Sequence, residues 1–178
     1  MKVSEKAYMA GIFDGEGCIA VDRGARGTNA FVSISVGQKR TPEGLKLVTW
    51  IRDTFGGNLT EQSNDNLGMY RWFSSDSGVT LRVLLKCLPF MQVKKRQAQL
   101  AISLLITKHK LGRVTGFGYQ NTEPPEDLKN YRLLVCDAIQ RLNQAIDPPA
   151  ETECKELIQL GKLLVKMYGK RQSALVGL

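Results

Sequence analysis

The sequence has few of the residues that build metal clusters, disulfides or membrane spans. It contains one histidine, His109, and four cysteines, none of them in a Cys-x-x-Cys pair, so we expect reduced, mostly buried thiols, with structural zinc as a remote alternative. Its longest apolar runs, such as residues 100–106, fall far short of the roughly 20 residues that cross a bilayer. The N-terminus lacks the apolar core of a signal peptide. A protein of a bacterial or archaeal cytoplasm, or of an organelle, is therefore expected, and not a secreted one.

Acidic residues are outnumbered by basic ones. The chain has 25 Lys and Arg against 17 Asp and Glu, a net charge of +8 and a pI near 9.4. This excess makes nucleic acid the leading class of partner, although a basic protein that is merely soluble has the same composition. With 178 residues, 43% of them apolar, the chain can bury a good core, so one compact α/β or α+β domain over residues 1–178 is the simplest expectation.

Local patterns predict the order αββαββα in the first part of the chain. Ser4 is a suitable cap for a helix from about residue 5 to Asp14, which glycines then end. Residues 32–37 alternate apolar and small side chains, which predicts a strand with one buried and one solvated face. Thr41 and Asp76 have the composition of caps for two further helices.

Helical periodicity dominates the rest of the chain. Three amphipathic helices are expected, from Val93 onward and over the runs 127–146 and 150–168, with a glycine-rich loop before the second. The predicted fold class is therefore α+β, an αββαββα unit with a four-stranded antiparallel sheet and additional C-terminal helices. The core of this single domain is expected at about residues 4–110, and the helices at about residues 111–178 should buttress it.

The joint between the first helix and the first strand carries two acids, Asp14 and Glu16, where the helix dipole favours cations. Carboxylates at a buried helix end require a compensating cation or hydrogen bonds. Ala7, Ala10 and Gly11 share one face of this helix with Asp14, so the helix can approach another helix closely. Such small-residue stripes are more often ordinary core packing than interfaces.

The segment MAGIFDGEG, residues 9–17, resembles the signature of the LAGLIDADG homing endonucleases. The αββαββα order that follows resembles the unit on which this family is built, and the resemblance covers about residues 4–110. Met9 stands where leucine is usual, and Glu16 where many members carry aspartate. The resemblance implies a site-specific, intron-encoded type of nuclease that cuts both strands of double-stranded DNA and leaves 3′ overhangs. It implies Mg²⁺ as the cofactor, with Mn²⁺ as a substitute and Ca²⁺ bound without supporting cleavage.

The resemblance also implies roles for individual residues. Glu16 and the backbone carbonyl of Gly15 would bind metal, whereas Asp14 would cap a helix end or the start of a strand. Gln38 and Lys94 would join Glu16 as catalytic residues at the scissile phosphate. The family's further basic residue would be Lys39 or Arg40.

One chain carries one motif, whereas a site of this type uses two. We therefore expect a homodimer with two-fold symmetry and a pseudo-palindromic target. The residues expected at the interface are Ala7, Ala10, Gly11 and Asp14.

The solvated face of the sheet is expected to lie in the major groove of DNA. The candidate DNA-binding residues are Asp22, Arg26, Asn29, Ser33, Ser35, Lys39, Arg40, Thr60, Gln62, Tyr70, Arg71, Trp72 and Lys95. Arg23 and Arg71 depend on the register, because a shift by one residue reverses the face, while Tyr70 and Trp72 would also suit a core. The cations at 94–96 oppose the dipole of their own helix, which favours a phosphate partner.

Three other functions stay open. The scaffold suits a non-catalytic DNA-binding regulator, or an RNA-binding maturase that assists splicing. A small-molecule enzyme could use residues 14–17 as a metal loop, but the sequence offers no second His/Asp/Glu cluster to complete such a site. The joint presence of Glu16, Gln38 and Lys94 favours the nuclease, because a binding protein has no need for an acidic pair near phosphate.

Overall fold

A computed structural model describes residues 2–23, 30–62, 68–111, 124–145 and 147–176, with side chains as far as residue 168. The chain divides into two compact units. The first comprises Met1–Ala20 and Val32–Ala98, and the second comprises Val21–Phe31 and Gln99–Leu178. Across these described ranges, no helix combines the length and apolar character needed to cross a membrane.

The predicted α+β fold with a four-stranded antiparallel sheet is confirmed. The elements are α1 (Val3–Glu16), β1 (Gly17–Asp22), β2 (Phe31–Lys39), α2 (Pro42–Phe55), β3 (Asn58–Gln62), β4 (Met69–Ser74), α3 (Ser77–Cys87), a short 3₁₀ turn (Leu88–Phe90), α4 (Lys95–Leu111), α5 (Glu126–Gln144) and α6 (Glu151–Val176).

Helix ends follow local signals in two of the three predicted cases. The Thr41 hydroxyl accepts the N–H of Gly44 at 3.1 Å, and the Asp76 carboxylate accepts that of Val79 at 2.7 Å, as their positions predicted. The prediction for α1 was wrong at its start, because the helix begins at Val3 and Lys2 is its cap residue. There the Lys2 N–H donates to the Glu5 carboxylate at 2.6 Å, so Ser4 is not needed as a cap.

The strand order in the sheet is β1-β2-β4-β3. Val32, Ile34 and Val36 point into the core, as the alternation predicted, and Val36 lies opposite Trp72 of β4. Phe13 of α1 meets Trp72 edge-on, with ring centroids 6.3 Å apart. The core of the first unit therefore lies between one face of this sheet and α1, which fixes where the end of α1 emerges.

In the second unit, α4, α5 and α6 supply most of the buried side chains. The hydroxyls of Tyr131 and Ser103 lie 2.8 Å apart in this core, and burial raises the pKa of Tyr131. All four cysteines are free. Burial raises the pKa of Cys136 to about 11 and, in the first unit, that of Cys87 to about 12. These thiols are therefore neutral side chains of the core.

Candidate active site

The end of α1 and the start of α4 meet through Asp14. One oxygen of its carboxylate accepts the backbone N–H of Gln92 at 2.7 Å, and the other accepts that of Lys94 at 2.9 Å. These N–H groups lie just before α4, which begins at Lys95, and an anion near that end is favoured by the helix dipole. Asp14 therefore holds the segment that leads into α4, although it belongs to the last turn of α1.

Lys94 makes the reciprocal contact. Its ammonium donates to the backbone carbonyl of Asp14 at 2.6 Å, at the end of α1, which has no basic residue of its own in its last turn. A cation is favourable at that end. Each charge is unfavourable for its own helix but favourable for the other one. Asp14 of α1 lies near the start of α4, and Lys94 beside α4 binds the end of α1.

Glu16, the second acid at this joint, takes no part in the hydrogen bonds between Asp14 and Lys94. It is the last residue of α1, it is exposed, and within the described residues its carboxylate makes no hydrogen bond or ion pair. The neighbouring Gly15 is also exposed, with open space where a Cβ would be. Its carbonyl belongs to the last turn, where carbonyls have no donor within the helix. The unpaired carboxylate of Glu16 and the Gly15 carbonyl therefore follow directly after Asp14, whose own carbonyl accepts the Lys94 ammonium.

The carboxylate of Glu16 and the carbonyl of Gly15 offer few ligands for a metal ion. Among the residues that the structure describes, no three His, Cys, Asp or Glu side chains come close enough to hold a metal ion. Mg²⁺ keeps several of its waters and typically takes one or two carboxylates together with substrate phosphates. The carboxylate of Glu16 and the carbonyl of Gly15 suit that arrangement, whereas they could not build a closed metal cage.

Gln38 lies further from this joint in the sequence, near the end of β2. It is half-buried and lies opposite Tyr70. In the described residues it makes no hydrogen bond to Glu16 or Lys94. The structure thus brings Asp14, Glu16 and Lys94 together through direct bonds and backbone connection, and it shows no such bond to Gln38.

The register of the sheet separates the candidate DNA-binding residues by face. Arg71 lies opposite both Gly37 and Thr60, and its guanidinium donates to the Ser35 hydroxyl at 3.0 Å. Directly opposed side chains point to the same face, so Arg71 and Thr60 share the face that is turned away from α1. Gln62 and Ser33 follow by the two-residue alternation, and Asp22 is exposed at the end of β1.

Two aromatic candidates do not lie on that face. Trp72 was predicted to bind DNA, but it is 0% exposed and its indole N–H donates to the Gly56 carbonyl at 2.8 Å. This bond satisfies the polar atom and lets the ring enter the core. Gly57, with φ +95°, also leaves the space that a side chain would take from the indole. The assignment of Trp72 was therefore wrong. Tyr70 lies two residues from Trp72 and points to the same side of the sheet, but it is only half-buried, so its assignment stays a prediction.

The remaining DNA-binding candidates differ in their exposure and in the partners that their side chains already have. Ser35 is on the outer face but only 8% exposed, with its hydroxyl engaged by Arg71. Arg40 pairs with Glu61 at 2.6 Å at the surface. Lys39 and Lys95 are exposed, and neither forms an ion pair within the described residues. Arg26 and Asn29 lie outside those residues.

Arg23, whose face the sequence left open, is held within the second unit. Its guanidinium donates to Gln140 at 2.8 Å and to Asp137 at 3.3 Å, and both residues are on α5. The end of β1 is therefore tied to a helix through Arg23. A solvated cation that is free to read a base would not have these partners.

The exposed face of α1 differs from the predicted one by one position. Ala7 and Gly11 are exposed, and nothing lies within 4 Å of a Cβ built on Gly11. Ala10 is 0% exposed and belongs to the core of its own unit, so its assignment to an interface was wrong. The neighbouring Tyr8, which was not among the predicted interface residues, is 56% exposed on this face. The signal in the sequence was an aromatic residue three positions before Gly11, which places both on neighbouring parts of the helix surface.

Tyr8 also borders an open groove between α1 and α2. Its ring lies 5.4 Å from that of Trp50. The groove has a volume of about 510 Å³ and is lined by Ser4, Glu5, Tyr8, Glu43, Lys46, Leu47 and Trp50. The exposed surface beside Ala7 and Gly11 is therefore partly apolar and aromatic.

No protein-family model and no curated protein sequence matches the chain. Solved structures do. The homing endonuclease I-CvuI, crystallised with its target in the presence of 2 mM Ca, matches 91% of this chain and 95% of its own at 19% identity and a TM-score of 0.59. The archaeal intron-encoded homing endonuclease I-Vdi141I, complexed with DNA, matches 90% and 96% at 16% identity and a TM-score of 0.57.

A third structure differs in chain length. I-SmaMI, bound to uncleaved DNA target in the presence of calcium ions, matches 86% of this chain at 16% identity and a TM-score of 0.53, but only 49% of its own chain is covered. At these identities the likeness establishes the fold. The chain has the fold of these homing endonucleases, and the resemblance predicted from residues 9–17 is confirmed at that level.

Proposed function

We propose that residues 1–178 form a single LAGLIDADG homing endonuclease domain that acts in the cytoplasm or in an organelle. It binds a long pseudo-palindromic DNA duplex as a homodimer and hydrolyses both strands with Mg²⁺, leaving 3′ overhangs. The observation that carries this proposal is the joint at the end of α1, where Asp14 and Lys94 satisfy each other and Glu16 has no partner. The fold shared with I-CvuI and I-Vdi141I supports DNA as the substrate.

The chemistry follows from the residues at this joint. Glu16 and the Gly15 carbonyl would hold a divalent ion, which would supply an activated water and offset charge on the phosphate. The ammonium of Lys94 has three donors, of which one is bound to the Asp14 carbonyl. The other two can donate to a phosphate oxygen as negative charge develops on it. Gln38 would hold a water through its amide. Mg²⁺ suits the site because few carboxylates are available. We expect Mn²⁺ to replace it, and Ca²⁺ to bind without supporting cleavage.

A second copy of the chain would complete the site. One subunit contributes one Glu16, and the exposed strip at Ala7, Gly11 and Gly15 has the open space that close helix packing requires. I-SmaMI supports this proposal, because this chain covers only 49% of it and the remainder could hold a second unit of similar size. A two-fold symmetric pair would present two sheets to one duplex, which favours a target with matching symmetry.

The outer face of the sheet would read the DNA. Thr60, Gln62 and Arg71 are the side chains on this face that can reach base edges in the major groove. Lys39 and Lys95, both exposed and without an ion pair among the described residues, would contact phosphates and position the protein. Base contacts by Arg26 and Asn29 stay predictions.

The test combines target selection with one isosteric substitution. The wild type is incubated with a randomised duplex library and Mg²⁺, and the cut ends are sequenced. On the selected site, Glu16→Gln should abolish cleavage while binding stays equal or becomes tighter, because a like charge near the phosphates is removed. Glu156→Gln on α6 is the control for the change of charge. A Glu16→Gln variant that cuts at the wild-type rate would show that the acid is structural. Binding without any cutting by the wild type would favour the DNA-binding regulator.

A further inference from the structure

The segment between the 3₁₀ turn and α4 has little apolar packing of its own. Met91 is fully buried, but the next two residues are not: Gln92 is exposed and Val93 is 72% exposed. Lys94 follows directly, and α4 begins at Lys95. Burial alone therefore does not hold the backbone that carries Lys94.

Hydrogen bonds from Asp14 hold this segment instead. A helix is usually capped by the residue just before it, whereas Asp14 lies 78 and 80 positions away from Gln92 and Lys94. Its bonds do what a local cap could not, because they fix the segment that leads into α4 to the end of α1. The third bond, from the Lys94 ammonium to the Asp14 carbonyl, closes the arrangement.

We propose that Asp14 is a positioning residue for Lys94, a role that rests on the proposed nuclease function. The Asp14 carboxylate fixes the backbone of Lys94, and the Asp14 carbonyl orients the Lys94 ammonium. Asp14 itself lies two residues before Glu16. A lysine side chain loses much rotamer freedom when it is held in one place. Because these bonds hold it before DNA arrives, the ammonium is preorganised beside the position of the phosphate.

The first test needs no nuclease activity. In Asp14→Asn the side chain offers one acceptor where the carboxylate offered two, and its NH₂ group opposes one of the N–H donors. The lysines are labelled briefly with an amine-acylating reagent, and modification is measured by mass spectrometry. Labelling of Lys94 relative to the exposed Lys95 should rise several-fold in Asp14→Asn and stay unchanged in the control Asp53→Asn. An unchanged ratio in Asp14→Asn would overturn the proposal.

The second test is a double-mutant cycle in single-turnover cleavage. Asp14→Asn should slow cutting by between about tenfold and about a hundredfold, while DNA affinity in Ca²⁺ changes by less than about twofold. In a Lys94→Met background the same substitution should cause no further slowing, because Asp14 acts through Lys94. Equal slowing in both backgrounds would refute the proposal, since a purely structural defect is additive.

Two outcomes remain separable. If the wild type cuts no DNA, the proposed nuclease function fails, and the labelling ratio still decides whether Asp14 holds Lys94. If Asp14→Asn does not fold, Asp14→Ser takes its place, because serine can still cap one N–H while the second bond and the charge are lost.

Discussion

Replacing Gly11 with leucine should have opposite effects on the fold of one subunit and on the association of two. A Cβ at Gly11 meets no atom within 4 Å in the single chain, so the side chain enters open space. Glycine within a helix costs about 1 kcal/mol relative to alanine, and leucine costs little. Gly11→Leu should therefore stabilise the isolated subunit by roughly 0.5–1 kcal/mol.

In the proposed dimer, the same substitution should instead be destabilising. There, the strip at Ala7, Gly11 and Gly15 packs against its own copy, and leucine must fit where no side chain was. Overpacking typically costs about 1–3 kcal/mol per site, and two-fold symmetry doubles this to about 2–6 kcal/mol. At about 1.4 kcal/mol per factor of ten, the dimer Kd should rise by between about thirtyfold and about twenty-thousandfold.

Sedimentation equilibrium measures the dimer Kd, and urea unfolding at a concentration where both proteins are monomeric measures subunit stability. Lys162→Leu on α6 controls for an added surface leucine, and Met9→Leu should cost less than about 1.5 kcal/mol because it conserves volume in the core. A Gly11→Leu protein with the wild-type Kd would show that the copies do not meet at this strip. A protein that is less stable as a monomer would show that the space beside Gly11 is not open.

Further predictions concern DNA binding and the thiols. DNA affinity should fall steeply between low and physiological salt, because Lys39, Lys95 and other cations displace counterions; a nearly flat salt dependence in gel-shift titrations would count against DNA binding. Gln62→Ala should relax preference at particular base pairs more than it lowers affinity, as selection from a library would reveal. Cys87 and Cys136 have raised pKa values, about 12 and about 11 against 9.0 for the free thiol. Their contribution to stability is complete below pH 9.0 and is lost as pH rises toward these values, because only the unfolded chain ionises there. Urea unfolding of Cys87→Ser should therefore show a shallower loss of stability above pH 9.0.

Local features of the chain could be predicted because their causes are local. Thr41 and Asp76 cap helices that begin at the next residue, and the alternation at 32–37 needs only the two-residue period of a strand. The fold class followed from the order of such elements. The hydrogen bonds from Gln92 and Lys94 to Asp14 could not be predicted in this way, since the partners lie 78–80 positions apart in the sequence.

The errors have the same origin. Whether Trp72 faces DNA or the core depends on the Gly56 carbonyl that receives its N–H and on the register with β2, and neither is visible in a single strand. Ala10 and Gly11 are adjacent on a helix, so a small-residue stripe locates a face only to within about one position. The structure leaves Gly11 exposed and buries Ala10 in the core, and this difference depends on packing that the stripe does not reveal.

The two acids of the joint should differ in what they do for stability. A carboxylate that is to bind a metal ion must lack a protein partner in the metal-free protein. An acid at the C-terminal end of a helix, however, interacts unfavourably with the helix dipole, at a cost to stability of about 0.3–1 kcal/mol. Asp14 escapes this conflict because its carboxylate accepts the N–H groups of Gln92 and Lys94, whereas Glu16 has no partner among the described residues. Glu16→Gln should therefore raise the metal-free free energy of unfolding slightly, and Asp14→Asn should lower it by about 1–3 kcal/mol through lost charge-assisted hydrogen bonds. Urea unfolding in EDTA measures both. A Glu16→Gln protein destabilised as much as Asp14→Asn would mean that Glu16 holds the fold together, and the assignment of one acid to structure and the other to metal would be wrong.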